Sequence, residues 1–297
     1  MTTPNFIIGG TLPAGSGHLY GLLKQHPEVY LAEPMQPECN FFVKSGQYEQ
    51  GIGHYLDTWF ADVKDQVAIG ERSSLLLSSE AGPARLRAHF PQMKLIFLVR
   101  NPVDRAYANY RFTVLAGFDA LTFEQALDAE DARVEEASKD AFWAEIQPHA
   151  YFRRGLYAEQ VDRWYDLFPA EQILLMRSDQ LIKNQVAALE RIFAFLGIRT
   201  DVNVEDFPDF SSPSVVDAAL QSRLREETPV GFDHAIQRLR QEQAPESDID
   251  RMVRANVKAS VEPLPTELRA RLTERYRPSN DALLERIDFN IDDWFDT

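Results

Sequence analysis

The stretch Lys94-Leu95-Ile96-Phe97-Leu98-Val99-Arg100-Asn101-Pro102-Val103-Asp104-Arg105-Ala106-Tyr107-Ala108-Asn109-Tyr110 decides the fold. Leu95–Val99 is an unbroken apolar run, far too short to span a bilayer, and reads as a strand buried on both faces. Asn101-Pro102 then opens a helix, with proline in the first turn, where a backbone N–H is not needed. An arginine at the C-terminal end of such a strand faces the crevice in which open α/β sheets bind ligands, so Arg100 is a candidate anion ligand. Arg105, one helical turn past the proline, can reach the same anion or pair with Asp104. The plainer alternative is that Arg100 caps the helix and Arg105 is solvated.

Outward from this junction, short apolar runs alternate with amphipathic segments. Phe6-Ile7-Ile8-Gly9, Val67–Gly70 and Ile173–Met176 read as strands; His18–Gln25, Arg85–Phe90, Gly155–Phe168 and Ala187–Leu196 read as helices, the last closed by Gly197. Thr122-Phe123-Glu124-Gln125 has the form of a capping box. Leu268, Leu272 and Tyr276 mark a late helix that breaks at Pro278-Ser279 and resumes from Asn280 to Ile287. This alternation implies an α/β fold, a P-loop-like parallel sheet flanked by helices. We expect a single domain over 1–297, with its core at about 5–197 and 255–290. The proline-punctuated stretch 201–250 is expected to be a helical elaboration, a lid or substrate wall.

A second junction follows the first strand: Gly10-Thr11-Leu12-Pro13-Ala14-Gly15-Ser16-Gly17. A glycine-rich strand-to-helix turn directs backbone N–H groups inward, and the helix dipole adds about half a positive charge. The spacing is that of a phosphate loop, yet Ser16-Gly17 stands where a nucleotide triphosphatase needs its lysine and hydroxyl. That activity is therefore disfavoured, and a plain connecting turn remains the alternative.

Composition narrows the classes further. The 297 residues carry a net charge of −15, which disfavours nucleic acid and anionic membrane as partners. The single cysteine, Cys39, excludes an intrachain disulfide, and the six histidines show no metal-binding spacing, so no metal is expected. No apolar run approaches the ~20 residues of a membrane span, and Met1–Asn5 has no basic region. A soluble cytoplasmic protein is the expectation.

The two junctions together, with His26-Pro27, "LAEPMQPECNFF", "IGERSS", "GLYAEQVDRWYDLFP", "ILLMRSDQLIKN" and "LPTELRARLTERYRPSNDALLER" in order, resemble the sulfotransferases that use 3′-phosphoadenosine-5′-phosphosulfate (PAPS). The heparan-sulfate-type branch and its bacterial relatives are the most similar. The resemblance covers about residues 5–197 and 255–290 and leaves 201–250 unmatched. It implies transfer of a sulfuryl group from PAPS to a hydroxyl or amine of a small molecule or glycoside, releasing PAP.

It also implies roles. Thr11 and Ala14, Gly15, Ser16, Gly17 and His18 hold the 5′ side of the donor, and Arg100 holds the 3′-phosphate. Glu38 matches the general base, and Asn40 stands where some members carry histidine. Arg72 replaces a lysine near donor and acceptor, and Lys258 matches a late basic loop. His18 and Glu33 are rival bases. Two positions depart from the family: Pro13 occupies the slot of the loop lysine and Ala108 that of the 3′-phosphate serine, and neither can donate. Arg72, His18 or Lys24 compensates, or the chain binds PAP or PAPS without turnover. A third possibility is that sulfation activates a hydroxyl for later displacement or elimination. Trp59, Phe60, Phe152, Tyr157 and Trp164 either line an acceptor pocket or pack the core, and Cys39 is a nucleophile or a packing residue.

Acidic residues concentrate at 119–145 (nine acids, two bases) and 281–297 (six acids, one base), outside the matched motifs. The acidity therefore reads as a solvated face, and it opposes a heparan-like polyanion as acceptor.

Overall fold

The structure, a computed structural model, describes residues 3–207, 213–258 and 260–296. Two compact units form: Met1–Pro102 with Arg154–Asp209 and Tyr276–Phe295, and Val103–Arg153 with Phe210–Arg275 and Asp296–Thr297.

The first unit is built on five parallel strands, β1 (Phe6–Gly10), β2 (Val29–Leu31), β3 (Ala68–Ser73), β4 (Lys94–Val99) and β5 (Ile173–Arg177), in the order β2-β3-β1-β4-β5. The registers Ile8↔Arg72 and Gly10↔Leu98 bring the C-terminal ends of β3, β1 and β4 side by side. Both faces are covered, so the strands carry apolar residues without alternation. On one face Ile8, Ile96, Leu98 and Met176 pack with Leu19 and Leu22 of helix Ser16–Leu23 and with Ile192 of helix Gln185–Leu196. Gly9 is required where β1 runs beside β4: a Cβ there would lie 2.5 Å from the ring of its register partner Phe97.

In the second unit, helices Ala218–Glu227, Pro229–Arg240 and Asp248–Ala255 enclose a core of Leu224, Phe232, Ile236 and Val253 with Leu115. A two-stranded antiparallel ribbon pairs β6 (Ser214–Val215) with β7 (Val257–Lys258). Most of the described part of 201–250 is thus helical, and Pro229 opens a helix instead of interrupting one.

The expected strands and the Thr122–Gln125 capping box are present, and Gly197 closes its helix with φ 79°. Two features differ from the sequence reading. Residues 29–31 form β2, which was not anticipated, and helix Thr266–Leu284 runs through Pro278 without breaking. Arg105 is also used differently from the expectation of an anion ligand or a solvated residue. It is fully buried in the second unit and donates to Asn109 Oδ1 at 3.1 Å and to the Tyr151 carbonyl, while Asp104 pairs with Arg269.

Candidate active site

The turn between β1 and helix Ser16–Leu23 is built to leave donors open. Gly15 takes φ 78°, ψ 12°, a left-handed conformation that glycine adopts without steric cost, and it starts the helix with no side-chain cap. The first amides of a helix have no intrahelical acceptor, so those of Ser16, Gly17 and His18 converge where the dipole is positive. Ser16 and His18 are buried, and neither ring nitrogen of His18 has a hydrogen-bond partner among the described residues. Not every residue of the turn offers a side chain. Thr11 turns its hydroxyl to the Arg154 carbonyl at 3.3 Å, and the Ala14 methyl belongs to the core.

The end of β3 is built the opposite way, with its groups already paired to one another. Alternate residues of a strand face opposite sides. On one side, Arg72 donates from Nη1 to Ser16 Oγ at 3.3 Å and lies 3.0 Å from Glu38 Oε1, while Nη2 donates to the Met35 carbonyl at 2.9 Å. Ser74 adds its backbone N–H to Glu38 Oε2 at 2.7 Å and its hydroxyl to both carboxylate oxygens at 2.9 and 2.7 Å. Three donor groups therefore hold a carboxylate that has about four acceptor directions. The Arg72 and Glu38 side chains are only 7% and 10% exposed, which strengthens their attraction but makes loss of either partner costly.

On the other side of β3, Ser73 Oγ donates to both oxygens of Glu71 and accepts the Asn40 N–H at 2.9 Å. Glu71 is fully buried, and burial pushes its carboxyl up to about 8; the Glu38 charge adds to the shift, while Ser73 and Arg72 oppose it. Residues from both sides, Tyr20, Met35, Glu38, Trp59, Glu71 and Arg72, line a narrow recess at the end of β3.

Arg100 follows β4 directly and is exposed; among the described residues its guanidinium has no partner, while its carbonyl accepts the Tyr157 hydroxyl at 2.8 Å. The structure therefore gathers Ser16, Arg72 and Glu38 into one hydrogen-bonded chain and leaves Arg100 at the end of the strand next to the turn. Lys24 pairs with Glu33 at the surface, which occupies one proposed compensator and one rival base. Ala108 and Lys258 lie in the second unit, Lys258 paired with Glu262 at 2.8 Å. Phe60, Tyr157 and Trp164 are buried and Trp59 borders the recess, while Phe152 lies in the second unit beneath Arg275. Cys39 is buried, and burial raises its thiol well above the ordinary range. Ser73, Ser74 and Glu71 escaped the sequence reading; the only signal was the polar run Glu71–Ser74 at the end of an apolar strand.

An open amide turn, a free arginine and a buried cation fit a polyanionic ligand. Among the described residues no group of three or more His, Cys, Asp or Glu side chains could hold a metal, and no helix is long and apolar enough to cross a membrane.

Human heparan sulfate glucosamine 3-O-sulfotransferase 6 is 29% identical over 209 residues, covering 69% of this chain and 55% of the relative. Human heparan sulfate glucosamine 3-O-sulfotransferase 3B1 is 30% identical over 204 residues, covering 69% of this chain and 48% of the relative. The chain thus spans about half the length of these curated relatives. A sulfotransferase from Alicyclobacillus acidocaldarius has the same fold, with a TM-score of 0.70 at 22% identity and 99% coverage of both chains. The sulfotransferase domain model matches residues 47–237, a span that includes the polar end of β3, Arg100 and the helix behind it, and the chain accordingly belongs to the sulfotransferase family.

Proposed function

We propose that this protein transfers a sulfuryl group from PAPS to a hydroxyl or amine of a small molecule or glycoside. The observation that carries the proposal is the bridge made by Arg72 between Ser16 on the turn and Glu38 in the recess. One cation there touches both the group suited to an anionic donor and the group suited to removing an acceptor proton.

The open amides of Ser16, Gly17 and His18 would hold the 5′ side of the donor and Arg100 its 3′-phosphate. When bound, PAPS supplies an electrophilic sulfuryl group that passes to the acceptor as PAP leaves. Arg72 offers positive charge to the oxygens on which charge develops, the type of term that dominates such in-line transfers. It thereby takes over the part that the family lysine would play at Pro13. Glu38, fixed by Ser74 and Arg72, accepts the acceptor proton. Ala108 and Lys258 join the donor set through the family resemblance alone. The net charge of −15 and the surface pairing of Lys24 argue for an acceptor that is not a polyanion, and we place the reaction in the cytoplasm.

The test is transfer of label from [35S]PAPS to a panel of uncharged alcohols, amines and glycosides, read by mass-resolved chromatography. Labelled product with the wild type and its loss in Glu38→Gln are expected. A PAP-induced thermal shift without any product would instead favour a binding protein, the reading that Pro13 and Ala108 support. Loss of the acceptor hydroxyl from the product would point to sulfation as an activating step.

A further inference from the structure

Two carboxyls border the recess, and the transfer outlined above uses only one of them. Glu71 is fully buried, with Ser73 and Arg72 beside it on β3, Glu38 and Cys39 facing it from the 38–40 loop, and Tyr55 from helix Gly51–Trp59. Tyr55 is fully buried with no partner for its hydroxyl among the described residues, and burial raises it well above the ordinary phenol range, so it brings no charge to the cluster.

The loop that presents Glu38 is tied to the following residues only at its end, where the Asn40 carbonyl accepts the Val43 and Lys44 N–H groups. It lies in no regular element, contains Pro34 and Pro37, and includes Asn40 at φ 46°, in the left-handed region that few residues other than glycine, asparagine and aspartate enter. Its remaining anchors come from the end of β3. Arg72 and Ser74 hold the Glu38 side chain, and Ser73 holds the Asn40 backbone N–H two residues further on. Ser73 can accept that N–H in one geometry only while its own hydroxyl has an acceptor, and the acceptor is Glu71. We propose that Glu71 is a positioning residue: through Ser73 it anchors Asn40, and with it the loop that presents Glu38, to the end of β3.

The position of Glu71 beside Glu38 and Arg72 also makes the site sensitive to its charge. Near neutral pH Glu71 is mainly protonated and leaves the Arg72 charge to Glu38 and the donor. Ionisation above about pH 8 puts a second negative charge beside Glu38 and Arg72. That charge repels Glu38 and competes for the cation.

The inference rests on the proposed transfer for its kinetic readout only. Backbone amide exchange at Asn40 tests it without turnover. Glu71→Ala and Ser73→Ala are each expected to speed that exchange at least tenfold, and Glu71→Gln, which keeps a neutral acceptor, to restore most of the protection. In turnover assays the two alanine variants are expected to lose about tenfold in kcat with little change in KM for PAPS. The wild type is expected to lose rate above about pH 8, a limb that is absent in Glu71→Gln. Unchanged exchange at Asn40 in folded Ser73→Ala and Glu71→Ala would overturn the inference, as would an alkaline limb that persists in Glu71→Gln. A wild type without any turnover would count against the transfer and leave the exchange result to decide this point.

Discussion

The turn after β1 and the end of β3 lie on neighbouring strands and solve opposite problems. The turn keeps its first helical amides open, with an uncapped helix start and a His18 ring that has no hydrogen-bond partner among the described residues. The end of β3 closes almost every polar group on another, Glu71 to Ser73 to Asn40 and Arg72 to Glu38 to Ser74. Open donors cost stability unless a ligand satisfies them, whereas paired ones hold a geometry. On the proposed function, the contrast separates a region suited to take up the anionic donor from one that keeps Arg72 and Glu38 in place. Arg72 is the side chain common to both.

Removing that shared residue gives the largest expected effect. Arg72→Ala leaves Glu38 buried without its cation and is expected to cost about 3 kcal/mol in chemical denaturation. Turnover should fall ~10²–10³-fold, as for loss of a transition-state donor. A rate loss without destabilisation would show that the pair does not anchor the β3 side.

Arg100→Ala probes the open side alone. Weakening of PAP by ~10–100-fold in titration calorimetry follows from losing one charged hydrogen-bonding group. The unliganded melting temperature should stay where it is, because Arg100 is exposed and its guanidinium has no partner among the described residues.

Glu71→Gln probes the closed side through pH. A buried acid whose folded pKa is raised binds its proton more tightly when folded, so stability falls as pH rises from the unfolded value of 4.5 to about 8 and then levels. The glutamine variant lacks this loss. Its advantage over the wild type in urea titrations should be absent below pH 4.5, grow through the window and level off above about pH 8. An advantage independent of pH would mean that Glu71 does not titrate there.

Gly15→Ala gives the smallest effect. The left-handed φ of 78° penalises a side chain by about 1 kcal/mol, while the space itself is adequate, with the nearest atom, Ser178 Cβ, at 3.5 Å. The shift is measurable by calorimetry of the unliganded protein.

Much of this arrangement is legible in the sequence, because the strands are continuous apolar runs and the turn has glycines at the positions its backbone needs. Ser16, Glu38 and Arg72 follow from family motifs, and the structure joins them in one chain of contacts. The three-residue β2 hides behind His26-Pro27, since so short a run is read as part of the break. Helix Thr266–Leu284 continues through Pro278 although proline removes one hydrogen bond, because Tyr276 and Leu283 on either side are fully buried. The β3 clamp escapes for a different reason. Ser74 meets Glu38 across 36 positions and Ser73 meets Asn40 across 33, and no local pattern encodes contacts between a strand end and a distant irregular loop. Arg105 misleads in the same way, since the motif names the residue and not the direction in which it points.

In the proposed reaction Arg72 faces donor and base together, and a crystal structure with PAP tests this directly. The expected result is a 5′-phosphate on the Ser16–His18 amides within reach of Arg72, with Arg100 on the 3′-phosphate. PAP bound away from this turn, or bound there with Arg72 turned from both phosphate and Glu38, would contradict it.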